Sequence, residues 1–356
     1  MPCTLSFADR LGIGACALLG LVGTLLSAPA LAAATVADIA TYTGPDRTPR
    51  LIEAARKEAT LTVYSSAPPD DMLVLTSAFE KKYGLKIQVW RASSENIVRR
   101  GVSEERARRY EADIFETNTP EMESLYREKL LQEVKSPHLA DLIPQAIPQH
   151  REWVGTRLNV FVAAYNTKLV KKEEVPKSYE DLLNPRWKGR LGIEASDLDW
   201  FAGVISDLGE AKGLKLFRDI VGTNGISVRK GHTLLTNLVV SGEVPLALTV
   251  YQYKAEQLKN HGAPIDWFAL PPIIARFQGI GLARNAPHPH AAILFYDFML
   301  TDAQELLLKR DFTPANRKIS TPVHKMPLKL VDPRLVLDEN DKWNKLYSEI
   351  ITKQAR

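Results

Sequence analysis

Residues 61–90 set a strand pattern, a helix pattern and a second strand pattern in immediate succession, and that order leaves few folds open. Leu61-Thr-Val-Tyr-Ser65 is rich in β-forming residues. Pro68-Pro-Asp70 opens a helix whose apolar positions Met72, Leu75, Phe79 and Tyr83 recur at three and four residues. Gly84 stops it, and Leu85-Lys-Ile-Gln-Val-Trp90 alternates as a strand does. A β-α-β unit of about thirty residues requires parallel strands joined by a crossover, the building block of α/β sheets.

The same rhythm continues along the chain. Ser94–Tyr110 is a charged helix with Arg99, Arg100, Arg106, Arg108 and Arg109 interleaved with glutamates, the pattern of a solvated face and not of a nucleic-acid patch. Ala112-Asp-Ile-Phe-Glu-Thr117 is a strand, and Thr119-Pro-Glu opens the next helix. A long apolar strand, Arg157–Asn166, then interrupts the rhythm. A second α/β series follows: a helix near Ser178–Leu183, a strand at Arg190–Glu194, and helices at Trp200–Leu208, Ala211–Val221 and His232–Ser241. Ile265–Leu270 and Gly279–Ala283 return to strand character before amphipathic helices at Pro289–Leu300 and Asp302–Arg310. The reading is two α/β lobes, each a mainly parallel sheet flanked by helices, with crossings near residues 157 and 271. Lobe 1 is expected over 59–156 plus 272–320, and lobe 2 over 157–271 plus 321–356.

A length of 356 residues accommodates two such lobes, and 45% hydrophobic with 25% charged residues is ordinary globular composition. The formal net charge of +4 does not call for nucleic acid or an anionic membrane surface. Residues 1–34 differ in kind. Arg10, the apolar run Leu11–Leu26 and the small-residue site Ala28-Pro-Ala-Leu-Ala32 compose a secretory signal peptide, with cleavage expected after Ala32 or Ala34. The apolar run is shorter than the roughly 20 residues of a membrane span. Cys3 and Cys16 both lie in this segment, so the exported chain has no disulfide, thiolate nucleophile or cysteine-held metal.

The catalytic signatures of common enzyme classes are missing. There is no Gly-x-Ser-x-Gly elbow, no Gly-x4-Gly-Lys-Ser/Thr loop and no His-Glu-x-x-His. Gly279-Ile-Gly281 lacks a third glycine, and His288-Pro-His290 sits at a helix start, where a solvated first turn accounts for it. The other histidines (His138, His150, His232, His261, His324) are scattered, and no nucleophile, base and orienting group assemble. No catalytic residue is expected, and the chain reads as a binding protein rather than an enzyme.

One stretch does point to a ligand. In Glu243–Leu258 a buried-strand pattern, Leu246–Val250, runs into Tyr251-Gln252-Tyr253 at the mouth of a helix. Open α/β sheets bind ligands outside the carboxyl ends of their strands, and residues two apart share a side while strand geometry lasts.

Trp187-Lys-Gly-Arg-Leu-Gly192 with its acidic turn, and Ser241-Gly-Glu-Val-Pro-Leu-Ala-Leu248 with its tyrosines, resemble the ferric-ion type of periplasmic solute-binding protein. Ala112-Asp-Ile-Phe115 and the helix Ala291–Leu300 fit the same family, and the similarity runs over most of residues 60–320. The resemblance implies a two-lobed venus-flytrap receptor, located in the periplasm, that closes on a solute. It further implies delivery to the permease and ATPase subunits of an ABC importer, a monomeric state, and no nucleic acid.

Iron-binding members use a His after the first strand, an acidic residue after the Ala-Asp-Ile-Phe strand and two adjacent tyrosines. Oxyanion-binding small residues after the Lys-Gly strand complete their site. Carried over, the first loop Ser65-Ser66-Ala-Pro-Pro69 has no His, and the acidic position falls on Asn118 with Glu116 close by. Tyr253 matches, Gln252 replaces its neighbour, and Tyr251 lies one step earlier. The oxyanion turn reads Glu194-Ala-Ser196-Asp197-Leu-Asp199, where two aspartates repel an anion.

The expected contact set is therefore Tyr251, Tyr253, Gln252, Asp197, Asp199, Ser196, Asn118, Glu116, Ser65 and Ser66. Tyr251, Tyr253 and Asp197 offer hard oxygen donors to Fe(3+), which is cargo here and not a cofactor; no cofactor is required. Two other readings of the same residues stand beside this one. The aspartates can salt-bridge a cationic or polar organic solute while the tyrosines stack on it. Alternatively, Asp197 or Asp199 caps the Trp200 helix.

Overall fold

The first β-α-β unit forms as its pattern requires. The computed structural model describes residues 34–353, so the expected signal peptide and both cysteines lie outside the described residues. Strand β1 (Thr60–Ser65) pairs in parallel with β2 (Lys86–Arg91), Val63 opposite Val89. The helix between them, Pro69–Tyr83, has Pro at its first position, Asp70 and Asp71 in the first turn and Lys81 and Lys82 in the last. Gly84 ends it at φ +74°, donating its N–H to the Glu80 carbonyl at 2.8 Å.

Strand β3 (Ile114–Asn118) lies parallel to β1 on its other side. A short β4 (Leu131–Gln132) precedes the long β5 (Val154–Asn166), every residue of which is buried. Then come β6 (Leu191–Glu194), β7 (Ser227–Arg229), β8 (Leu246–Tyr251), β9 (Ile265–Phe268), β10 (Ile273–Ala283), β11 (Thr313–Pro314) and β12 (Leu328–Leu330). The main order is β2-β1-β3-β10-β5-β8-β6-β7. The pairs β1–β2, β1–β3, β6–β7 and β6–β8 are parallel. The crossing strands add antiparallel pairs, β10 with β3 and with β5, and β5 with β8, so the sheet is mixed.

β5 serves two regions. Its first half pairs with β10 and β11, its second half with β8 and β9. A 13-residue strand is long enough to leave one sheet region and enter the next. Helices cover both faces, with Phe79 and Phe295 packed edge-on at 5.2 Å in one region and Trp200 and Phe217 at 5.7 Å in the other.

Several local expectations are corrected. The Ser94 helix stops at Arg106, and Arg100 is not merely solvated: its guanidinium lies over the rings of Trp90 and Tyr64, 4.4 and 4.6 Å from their centroids. The segment near Ser178–Leu183 is a single 3₁₀ turn, Glu180–Leu183. Strand β10 begins at Ile273, six residues before its expected start, because Arg276 and Gln278 break the apolar run without breaking the strand. His288 and His290 are bound to separate carboxylates, Asp113 at 3.0 Å and Glu58 at 2.6 Å, and do not share a ligand. Gly279 and Gly281 bring β10 close to the helix Thr119–Arg127, where an added Cβ would stand 2.8 Å from Met122 in each case.

The C-terminal stretch touches both regions. Helix Pro333–Asp338 meets helix Thr119–Arg127 through Asp338 and Arg127 at 2.6 Å. Helix Asn340–Tyr347 then packs Tyr347 edge-on against Phe201 at 5.3 Å. No helix among the described residues is long and apolar enough to cross a membrane.

Candidate functional site

A cavity of about 320 Å³ opens where the parallel strands end. Its wall takes Ser66 just beyond β1, Asn118 at the end of β3, Glu194 at the end of β6 and Tyr251 at the end of β8. Arg91, the last residue of β2, and Lys230, just beyond β7, complete the rim.

The floor comes from the two crossing strands. Arg157 and Asn159 of β5 and Arg276 and Gln278 of β10 all line the cavity. Arg276 pairs in register with Asn159, and Gln278 with Arg157. Residues two apart share a strand face, so register places all four on one surface. An amide chain runs across them. Gln278 Nε2 donates to Ser66 Oγ at 3.0 Å, Asn159 Nδ2 donates to Gln278 Oε1 at 3.2 Å, and Asn118 Nδ2 donates to Ser94 Oγ at 3.0 Å.

Both floor arginines are neutralised from behind. Arg157 Nη2 is 2.8 Å from Glu116 Oε1, and Ser65 Oγ donates to the other Glu116 oxygen at 2.5 Å. Arg276 Nη1 is 2.5 Å from Asp199 Oδ2, and its second nitrogen donates to the Tyr251 hydroxyl. Burial works against the Arg276 charge, but Asp199, with Tyr251 and Asp197, holds its pKa well above the usual value.

The aromatic residues form a stack. The His232 ring lies on Tyr251 with centroids 4.0 Å apart and planes at 15°. Tyr251 and Tyr253 follow at 5.8 Å and 17°, and Tyr253 rests on Phe312 at 4.0 Å. Burial pushes both tyrosine hydroxyls above the normal pKa, so both are neutral at neutral pH.

Beside His232, Glu194 accepts from the Gly231 N–H at 2.8 Å and from the Ser196 N–H at 2.5 Å. Burial, and then the Asp197 charge, raise its pKa. Asp197 stands at the N-cap position of helix Leu198–Leu208 without capping it through its side chain, and faces His232 at 3.0 Å. Asp199 accepts from the Trp200 N–H at 2.9 Å, so neither aspartate acts as a conventional cap.

Of the sequence-predicted contacts, Tyr251, Tyr253, Asp197, Ser196, Asn118 and Ser66 line this cavity. Gln252, Asp199, Glu116 and Ser65 do not; they stand behind its wall, the last three bound to wall residues or to one another. Arg157, Asn159, Arg276, Gln278, Glu194 and His232 were missed. A signal existed for four of them, since Arg-x-Asn and Arg-x-Gln place polar pairs at strand spacing inside otherwise apolar runs.

The cavity's charge balance is acidic. Arg91, Arg157, Lys230 and Arg276 face Glu95, Glu121, Glu194 and Asp197. With Glu116 and Asp199 neutralising two arginines, Arg91 and Lys230 remain against Glu95, Glu194 and Asp197, while burial pushes the pKa of Glu121 up to about 7. Such a site favours a cation with oxygen and nitrogen donors.

Comparison with known proteins places the chain. The Fe(3+)-binding periplasmic protein of Serratia marcescens is 28% identical over 205 residues, 56% of this chain. The match spans 60% of that relative's length. Iron uptake protein A1 of Synechocystis sp. is 24% identical over 288 residues, covering 73% of this chain and 79% of that protein. Iron-bound HitA from Pseudomonas aeruginosa superposes with a TM-score of 0.71 at 23% identity, over 82% of this chain and 99% of that one. The periplasmic binding protein AfuA from Actinobacillus pleuropneumoniae, with exogenous fructose-6-phosphate bound, gives 0.73 at 20% identity, over 82% and 98%. These structures share the two-lobed periplasmic-binding-protein architecture. Residues 112–342 match the family described as bacterial extracellular solute-binding protein, and this chain belongs to that family.

Proposed function

We propose that this chain is the periplasmic receptor of an ABC importer, closing two lobes on ferric iron and handing it to permease and ATPase subunits. The observation that carries the reading is the acidic cavity at the carboxyl ends of the strands, where the buried Glu194 and Asp197 lie side by side and the only lining cations without a carboxylate partner among the described residues are Arg91 and Lys230. The curated relatives, whose names describe ferric binding and iron uptake, support the same ligand. In this reading lobe 1 is 59–156 plus 272–320 and lobe 2 is 157–271 plus 321–356, with the hinge on β5 and on the segment before β10. Tyr251, Tyr253, Asp197, Ser196, Asn118 and Ser66 are the contact residues. The receptor is a monomer, works without catalysis, and is exported by its leader.

The test is direct. The exported chain is stripped with a chelator and titrated with ferric nitrilotriacetate while its melting temperature is followed. Ligand at about 1,000 times Kd stabilises the native state by roughly 4 kcal/mol, a shift of several degrees. A flat melting temperature with iron, together with a rise on adding polyamines, amino acids or sugar phosphates, would establish an organic solute instead.

A further inference from the structure

We infer that the cation is held from one wall, by Glu194, Asp197 and His232, while Tyr251 orients the imidazole and is not itself a ligand. This rests on the reading of the chain as a metal receptor and names the donors of that site.

The three residues come from the end of β6, the turn after it and the first residue of helix His232–Ser241. One donor atom from each lies within 4.8 Å of the others. His232 Nε2 is 3.0 and 3.1 Å from the two Asp197 oxygens. Metal–oxygen and metal–nitrogen bonds of about 2.1 Å put neighbouring ligands of a six-coordinate ion roughly 3.0 Å apart and opposite ones about 4.2 Å apart. The His232–Asp197 spacing therefore already fits adjacent ligands. The whole set needs to contract by only about 0.6 Å at its widest.

Burial adds to the geometry. Glu194 is 4% and Asp197 1% exposed, so two carboxylates are kept close together and away from water. Asp197 stands at a helix N-cap position but turns its carboxylate to His232 and caps nothing. The same cavity holds a second sign of a ligand. Asn159, 4% exposed, lines it; its Nδ2 donates to Gln278 Oε1 at 3.2 Å, but its Oδ1 is buried without a hydrogen-bond partner among the described residues.

Tyr251 is differently placed. Its hydroxyl oxygen accepts a hydrogen bond from Arg276, so one of the lone pairs a metal would need is already engaged. Its ring lies flat against His232, which fixes the plane of the imidazole.

Four single variants of the exported chain test this: Glu194→Gln, Asp197→Asn, His232→Gln and Tyr251→Phe. Each is stripped, checked for an unchanged apo melting temperature, and titrated with ferric nitrilotriacetate. Bound iron is read by elemental analysis and by the visible spectrum. The expected result is a loss of at least about 100-fold in ferric affinity for each of the first three. Tyr251→Phe should weaken binding about tenfold, and no tyrosinate-to-iron band should appear in the parent chain or in this variant. An intense visible band that vanishes in Tyr251→Phe would overturn the assignment, as would undiminished affinity in both Glu194→Gln and Asp197→Asn. Failure of the parent chain to bind iron would instead remove the receptor reading beneath it. If one variant misfolds, the remaining two carboxylate or imidazole variants decide the question.

Discussion

Arg276 and Asp199 form a buried ion pair 2.5 Å apart, joining β10 to the first turn of helix Leu198–Leu208. The two side chains are 8% and 3% exposed, so removing either leaves an uncompensated charge in the interior. Asp199→Leu should cost about 3–5 kcal/mol, whereas the double change Arg276→Met with Asp199→Leu should recover most of that loss. Denaturant unfolding of the four chains of the mutant cycle measures both.

Glu121 predicts how stability depends on pH. Burial is the largest influence on its carboxyl; Arg276 opposes it while Glu95 and Asp199 add to it, and the pKa is pushed up to about 7. Its Oε2 is buried without a partner among the described residues. A carboxyl that binds its proton more tightly when folded stabilises the native state fully below its ordinary value of 4.5. That contribution is lost as pH rises to about 7. Glu121→Gln should remove about 2 kcal/mol of this slope between pH 5 and 7, seen as a flatter plot of unfolding free energy against pH.

Gly155 on β5 faces Phe277 on β10 with no room for a side chain. An added Cβ would lie 2.7 Å from ring atoms and 2.9 Å from Phe277 Cβ, which the rotation of the ring cannot relieve. Gly155→Ala should therefore destabilise by about 1–3 kcal/mol through overpacking. Because Gly155 is outside the cavity lining, the melting-temperature shift on ferric addition should persist in this variant.

Tyr347 reaches from the C-terminal helix to donate its hydroxyl to the Glu194 backbone carbonyl at 2.5 Å. Tyr347→Phe leaves a buried carbonyl without this donor and should cost about 1–3 kcal/mol. If Glu194 holds the cargo, ferric affinity should also fall, by about tenfold, in the same titration.

The two-lobed α/β architecture and the place of Tyr251 at the end of a buried strand were legible in the chain itself. Both follow from periodicity over five to fifteen residues, which backbone geometry and burial translate directly into strand or helix. Asp197, Ser196, Asn118 and Ser66 came from the family resemblance, and each lines the cavity at or just beyond the end of a strand. Tertiary structure alone decided which polar groups meet. Arg276 finds Asp199 across 77 positions and Glu116 finds Arg157 across 41, each pairing depending on how β5 and β10 cross between the two sheet regions. His232 reaches Asp197 only because β6 and β7 are adjacent and parallel, which brings the loops at their ends together. Strand register and crossing order are set by the packing of the entire core, and no local pattern around Glu194, Asp197 or His232 encodes them.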